Sequence, residues 1–320
     1  MTTAEILGAF PALRVLVVGD VCLDRWCTYD PALADPSRET GIPRVAVVGT
    51  EVTPGAAGTI ANNLAALGAG RIDVLGMIGD DGFGYELRGA LSARGISPDL
   101  LVNARGVPTF TYTKLINSAT GEEDRPRVDF VYTRPLPEPV EREIVRRLVE
   151  SAPYDVILVS DQAETAEGGV VTAAVRGAVE QVAAVHRETT VWVDSRLRAE
   201  LFRGVVVKPN QQEAEAASQR LVGRIDYGGW RQSAQLRALI VTHGPEGALV
   251  IDDCGERWSA ARRVERPVDI CGAGDSFSAG AALTLHVTGD AFQAAEFGNR
   301  VASVTIMKKG TGTASPSELL

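Results

Sequence analysis

Arg14-Val15-Leu16-Val17-Val18-Gly19 is an unbroken aliphatic run closed by a glycine. It does not alternate, and a strand that is apolar on both faces is covered on both faces, the setting of a parallel sheet between helices. Runs of the same kind recur at Ile72–Gly79, Asp155–Ser160, Thr190–Asp194, Gly204–Lys208, Ala238–Thr242 and Gly247–Asp252. Between them lie helical patterns: Gly58–Gly68 places Ile60, Leu64 and Leu67 at i, i+4 and i+7, and Pro139–Ser151 puts Ile144 and Leu148 on one face. Strand–helix alternation predicts an α/β fold with a doubly wound, mainly parallel sheet and helices on both faces.

Two stretches break the rhythm. Residues 26–51 and 107–134 are rich in Pro, Thr and Arg, and the second contains the alternating segments Phe110–Ile116 and Val128–Tyr132. Alternation means one buried face, so both are expected to be insertions that build a small β lid on a single domain spanning 1–320. The tail Ser315–Leu320 is expected at the surface.

The chain has 320 residues, 32 Lys+Arg against 41 Asp+Glu, a net charge of −9, and 45% hydrophobic beside 23% charged residues. That composition excludes disordered, collagen-like and disulfide-stapled classes. Without a block of like charge, the acidic balance offers no footprint for nucleic acid or an anionic membrane. Cys22, Cys27, Cys254 and Cys271 show no CxxC spacing and His186, His243 and His286 stand far apart, so no zinc cluster is expected. The first residues lack a basic segment leading into a long apolar one, which reads as a cytoplasmic protein in a reducing compartment.

The strongest chemical signal is Asp269-Ile270-Cys271-Gly272-Ala273-Gly274-Asp275, followed by a helical pattern over Ser276–Gly289. Two glycines permit a tight turn in which backbone N–H groups converge at a helix N-terminus, an arrangement that attracts an anion such as phosphate. Gly272, Ala273 and Gly274 would form this anion hole. Asp275, in the first turn, could take the proton of an attacking hydroxyl. In isolation, the same carboxylate could simply complement the helix dipole and the glycines simply turn the chain. Asp20 and Asp24 follow the strand ending at Gly19, at the edge where open α/β sheets bind ligands, and each could accept bonds from vicinal hydroxyls. Alternatively Asp20 is a turn former and Asp24 a solvated acid. Asn210 and Glu213 would bring an amide and a carboxylate together at a helix start, where Asn210 could equally be a cap.

Three further segments stand in order: Gly79-Asp80-Asp81-Gly82-Phe83-Gly84, Val207-Lys208-Pro209-Asn210-Gln211-Gln212-Glu213, and Thr242-His243-Gly244-Pro245-Glu246-Gly247. With them, from about Arg14 to the C-terminus, the chain resembles the PfkB-type, ribokinase-like carbohydrate kinases. It is most similar to those acting on D-glycero-D-manno-heptose 7-phosphate, through Val15–Trp26, Asn63–Ala69, Thr113-Lys114-Leu115 and Lys309–Pro316. The resemblance implies ATP-dependent phosphorylation of a hydroxyl on a sugar or sugar phosphate, with Asp275 as general base. It implies substrate contacts at Asp20, Asp24, Gly55, Ala56, Thr59 and Lys114. Nucleotide contacts would come from Asn210, Glu213, Thr242, Gly244, Gly247 and Asn299. Magnesium would be organised through water by Asn210 and Glu213, potassium would lie beside Asp269 and near Gly310, and a homodimer would form through the lid.

Departures from the family pattern bear on the substrate. Relatives usually have glycine where Ala56 stands and asparagine where Thr59 stands, and after Ser160-Asp161 the heptose-phosphate kinases carry an aromatic and a lysine where this chain has Gln162 and Glu164. Losing a cation there weakens the expectation of a phosphorylated substrate, for which Lys114 with Arg25 or Arg134 remain as donors. No GxxxxGK[ST], HRD, DFG or HxGH motif occurs. The competing readings are a catalytically silent sugar- or nucleotide-binding regulator, a kinase for another polyol or a nucleoside, and a dinucleotide-dependent oxidoreductase. Glycine spacing at Gly55–Gly58 does not suit the last. His243, the four tryptophans and Cys271 read as packing residues, Cys271 as a buried one.

Overall fold

The strand containing Arg14–Gly19 (β1) lies inside an eight-stranded sheet, and its side chains divide strictly between two cores. Val15 and Val17 join one cluster with Ile60, Leu64, Phe277 and Val301, whereas Leu16 and Val18 join another with Ile144, Leu148, Val179 and Ala217. All four β1 side chains are fully buried, and each contributes about 1.5–3 kcal/mol of hydrophobic stabilisation. The computed structural model describes every residue except Ala152, Glu164 and Ala166; the expectation attached to Glu164 lies outside the described residues.

In chain order the strands are β1, β2 (Val21–Tyr29), β3 (Val47–Ala56), β4 (Arg71–Leu75), β5 (Met77–Gly79), β6 (Val102–Ala104), β7 (Thr111–Asn117), β8 (Val128–Phe130), β9 (Val156–Asp161), β10 (Thr190–Ser195), β11 (Val206–Val207), β12 (Ala238–Thr242), β13 (Gly247–Asp252) and β14 (Gly255–Ala260). The large sheet has the order β14-β13-β12-β11-β10-β9-β1-β4, parallel from β4 through β12. β13 and β14 run antiparallel to their neighbours, joined through the turn at Asp253 and Cys254. A continuous apolar run does not distinguish that hairpin from another parallel strand, and β14, with Glu256 exposed and Arg257 half-buried, carries no such run. The helices Ala57–Ala66, Ala273–Thr288 and Ala291–Thr305 cover one face; Glu138–Ser151, Ala173–Val185 and Gln211–Val222 cover the other.

The run read as one strand, Ile72–Gly79, divides at Gly76, where a β-carbon would lie 2.5 Å from the Gly19 carbonyl oxygen. β5 leaves the main sheet there to pair with β6. The lid is a separate sheet of order β3-β2-β7-β8. It is wider than expected at its first insertion: β2 begins at Val21, immediately after β1, and β3 continues to Ala56. Asp24 and Gly55 are therefore lid-sheet residues, not residues of the main sheet edge. The tail also departs from expectation. Pro316–Leu319 is helical, capped by Ser315 and Glu318, and Leu319 is buried in the first core. Among the described residues no helix is long and apolar enough to cross a membrane.

Candidate active site

The helix Ala273–Thr288 begins where Gly272 adopts φ 77°, ψ 7°. Glycine is required there: a β-carbon in this left-handed conformation would also press on Thr59 and Thr311 at 3.2 Å. Ser276 N–H bonds the Gly272 carbonyl and Ala273 N–H turns back onto Ile270 at 3.2 Å. Ala273 is thus committed within the turn, which corrects its expected place among the anion donors; the amides of Gly274 and Asp275 remain as first-turn donors. Asp269 braces the loop, accepting from Cys271 N–H and from Gly310 N–H. Cys271 is exposed, not buried as expected, because this loop stands proud of the core.

Two cavities flank this helix end. One, of about 270 Å³, lies between the lid and the sheet and is lined by Asp24, Thr59, Lys114, Arg127, Arg196 and Asp275 among others. The other, of about 420 Å³, is lined by Thr242, Gly244, Gly247 and Asn299 with an apolar floor of Phe277 and Ile306. Gly272 belongs to the wall of the first, Gly274 to that of the second, and Asp275 faces the first.

Asp275 is pushed up to about 7, chiefly by burial and then by the nearby Asp194 charge, against the pull of Lys208 and Arg196. A carboxyl poised near neutrality suits proton transfer at physiological pH. Behind the loop, Lys208 Nζ pairs with Asp194 Oδ2 at 2.9 Å, both side chains buried. Burial opposes the ammonium, but Asp194 and neighbouring acids outweigh it and hold Lys208 above the usual lysine range. Ser278 donates a further bond to Asp194.

Asp24 faces the same cavity from β2. Its position depends on Gly55 across the β2–β3 ladder, where a β-carbon would collide with the Asp24 carboxylate and lie 2.6 Å from Cys22 Sγ. Burial raises the Asp24 pKa, opposed by Cys22, Lys114 and Arg127. Lys114 on β7 pairs loosely with Glu123 at 3.7 Å. Arg127 lies over the Tyr112 ring at 4.8 Å and bonds Asp129.

Several expected site residues are used otherwise. Asp20 is buried, and its two oxygens accept Val170 N–H and Gln162 N–H, so it anchors the loop after β9 while lining a small cavity beside the first. Asn210 and Glu213 form a reciprocal capping box on Gln211–Val222, the alternative role read for Asn210. Asn299 lines the second cavity, but its amide donates to Ser259 O and Oγ. Arg25 reaches the first cavity and stacks on Phe83 at 4.7 Å. Arg134 is exposed and absent from that lining. His243 bonds Gln211 and packs on Trp258; Trp192 and Trp230 are core residues, while Trp26 lines the first cavity.

Sequence reading missed Lys208, Asp194, Arg196 and Arg127. Lys208 and Asp194 carry a usable signal, since each charged residue ends an apolar strand and so must be partnered if buried. Arg127 carries none, because the lid is rich in arginines of equal standing.

The family model for pfkB family carbohydrate kinases matches residues 13–318. Among curated proteins, the bifunctional protein HldE of Rhodopseudomonas palustris is 30% identical over 98% of this chain, and that of Caulobacter vibrioides is 31% identical over 99%. The chain spans 64% of the length of each. Among solved structures, phosphofructokinase-2 from Escherichia coli in complex with potassium superposes with a TM-score of 0.71 at 18% identity, covering 96% of this chain and 97% of that one. Ribokinase from Thermotoga maritima gives 0.66 at 19%, with 96% and 98% covered. At those identities the likeness carries the ribokinase-like fold, while the family match spans nearly the whole sequence. The chain belongs to the pfkB family of carbohydrate kinases.

Proposed function

We propose that this kinase transfers the terminal phosphoryl group of ATP to a hydroxyl of a sugar or sugar phosphate, with heptose 7-phosphate the foremost candidate. The observation that carries this reading is Asp275, held near neutrality at a helix N-terminus between two cavities. The apolar floor of the second cavity suits a nucleoside, whose phosphates would reach the Gly272–Gly274 turn. A substrate hydroxyl in the first cavity gives its proton to Asp275 as its oxygen attacks the terminal phosphorus; the bond to the bridging oxygen breaks and ADP leaves. Amides of the first turn, with Arg196 beside them, stabilise the charge on the transferring group.

Magnesium fits this arrangement as an ion held mainly by phosphates and water. Among the described residues no three acidic, histidine or cysteine side chains form a metal cage, and magnesium commonly keeps several waters and few protein ligands. Glu213 and Asn210 would hold its water shell, and the ion would neutralise phosphate charge. Asp269 and Gly310, joined by a hydrogen bond, mark the proposed potassium site; equal rates in sodium, potassium and tetramethylammonium buffers would remove it. The lid exposes Val47, Val48 and Val128, the surface proposed for pairing two copies. Cytoplasm, where ATP is abundant, is the compartment this reading implies.

Lys114 and Arg127 favour a substrate that already bears a phosphate, because they add cations to the wall of the sugar cavity. ATP consumption across free and phosphorylated heptoses, hexoses and pentoses, with Asp275→Asn as control, tests the function. Turnover of none of them would overturn it in favour of a silent binding protein.

A further inference from the structure

Ala56 ends β3 at φ 53°, ψ −117°. A residue with a β-carbon is strained in that region, and such strain persists only where the surroundings dictate it. The surroundings here do: Ala56 pairs with Val21, and the next residue, Ala57, donates its N–H to the Asp20 carbonyl at 2.9 Å. Two residues on, Gly58 lies so close to Pro54 that a β-carbon would stand 2.5 Å from Pro54 Cβ, which leaves the segment little room to relax.

Ala56 also occupies a particular place in the site. It stands in the wall shared by the sugar cavity and a side pouch of about 30 Å³, together with Cys22, Tyr112 and Gln162. The pouch is lined by Phe110, Tyr132 and Gly169 and, among the described residues, by no lysine or arginine. Asp20, the carboxylate among its described lining residues, has both oxygens bonded to backbone N–H groups. The pouch is therefore small and, among the described residues, without a cation, while Lys114, Arg127 and Arg196 line the main cavity instead.

We propose that Ala56 is a specificity-determining residue. Its methyl group, kept at strained backbone angles, narrows the passage into the pouch, so that the ring position facing this wall accepts hydrogen or hydroxyl and rejects a bulkier substituent. The proposal rests on the reading of the chain as a sugar kinase and adds to it which part of the site limits the sugar.

Ala56→Gly removes both the methyl and the strain; Ala56→Ser keeps a β-carbon. The probes are a sugar that the wild type binds, its deoxy analogues and its N-acetylamino analogues, compared by calorimetric affinity and by kcat/KM. The wild type should disfavour an N-acetylamino group by tenfold or more at one ring position, Ala56→Gly should cut that preference at least fivefold, and Ala56→Ser should keep it. Without any ligand, Ala56→Gly should melt higher than the wild type, because relief of strain exceeds the freedom glycine adds to the unfolded chain. An unchanged sugar ranking in Ala56→Gly, or a Tm at or below that of the wild type, would overturn the proposal while leaving the kinase reading intact. A wild type that binds and turns over no sugar would overturn the kinase reading itself.

Discussion

Lys208 Nζ lies 2.9 Å from Asp194 Oδ2 and 3.5 Å from where a β-carbon on Gly274 would stand. One buried ammonium therefore neutralises the acid behind the Gly272–Gly274 turn and lies against that turn. It also lowers the pKa of Asp275, which Asp194 raises. Truncating one partner of such a pair leaves the other buried and uncompensated, at a cost of about 3–5 kcal/mol.

Lys208→Met is accordingly expected to lose stability of that order in urea unfolding and to move the acid limb of the pH–rate profile to higher pH. Wild-type values for both would show that the pair does not govern Asp275.

Gly55 matters through Asp24. A methyl at position 55 would displace the Asp24 carboxylate from the cavity, so Gly55→Ala should raise the sugar KM by about tenfold or more, as expected when a charged hydrogen bond is lost, while nucleotide affinity stays within twofold. An unchanged sugar KM would place substrate recognition away from Asp24.

Lys114→Ala should raise KM for a phosphorylated sugar more than for its free counterpart. Its pair with Glu123 is partly exposed, so Tm should hardly move. Equal effects on both sugars would mean that Lys114 does not read a phosphate.

Much of this architecture was legible in residue order alone. Continuous runs such as Val15–Val18 dictate two-sided burial, and the glycines around Asp275 dictate a turn into a helix; neither depends on distant contacts. Other features were not legible for equally physical reasons. That Asp20 accepts backbone N–H groups depends on Gln162 and Val170, 142 and 150 residues away in the chain. Which acid raises Asp275 and which cation lowers it depends on β10 and β11 lying side by side. The reciprocal bonds between Asn210 and Glu213 show that this spacing builds a helix cap, a role that residue order alone did not separate from ion binding.

The raised Asp275 pKa has a stability consequence of definite sign. The folded protein holds this proton up to about pH 7, whereas an ordinary aspartate in the unfolded chain releases it near 3.8. Between those values the folded state binds more protons, so this group's contribution to stability falls as pH rises. Asp275→Asn should melt on the order of a few degrees above the wild type at pH 8, and the gain should shrink as pH falls toward 4. A variant less stable than the wild type at pH 8 would contradict the burial of that charge.

The most direct measurement is the turnover of Asp275→Asn on the true substrate, with ATP affinity measured in parallel. The substitution is nearly isosteric and cannot accept the hydroxyl proton. The account predicts a fall in kcat of about 10²-fold or more with ATP affinity little changed, and a wild-type rate that declines below an apparent pKa near 7. More than half of the wild-type kcat retained in Asp275→Asn would contradict Asp275 as the general base.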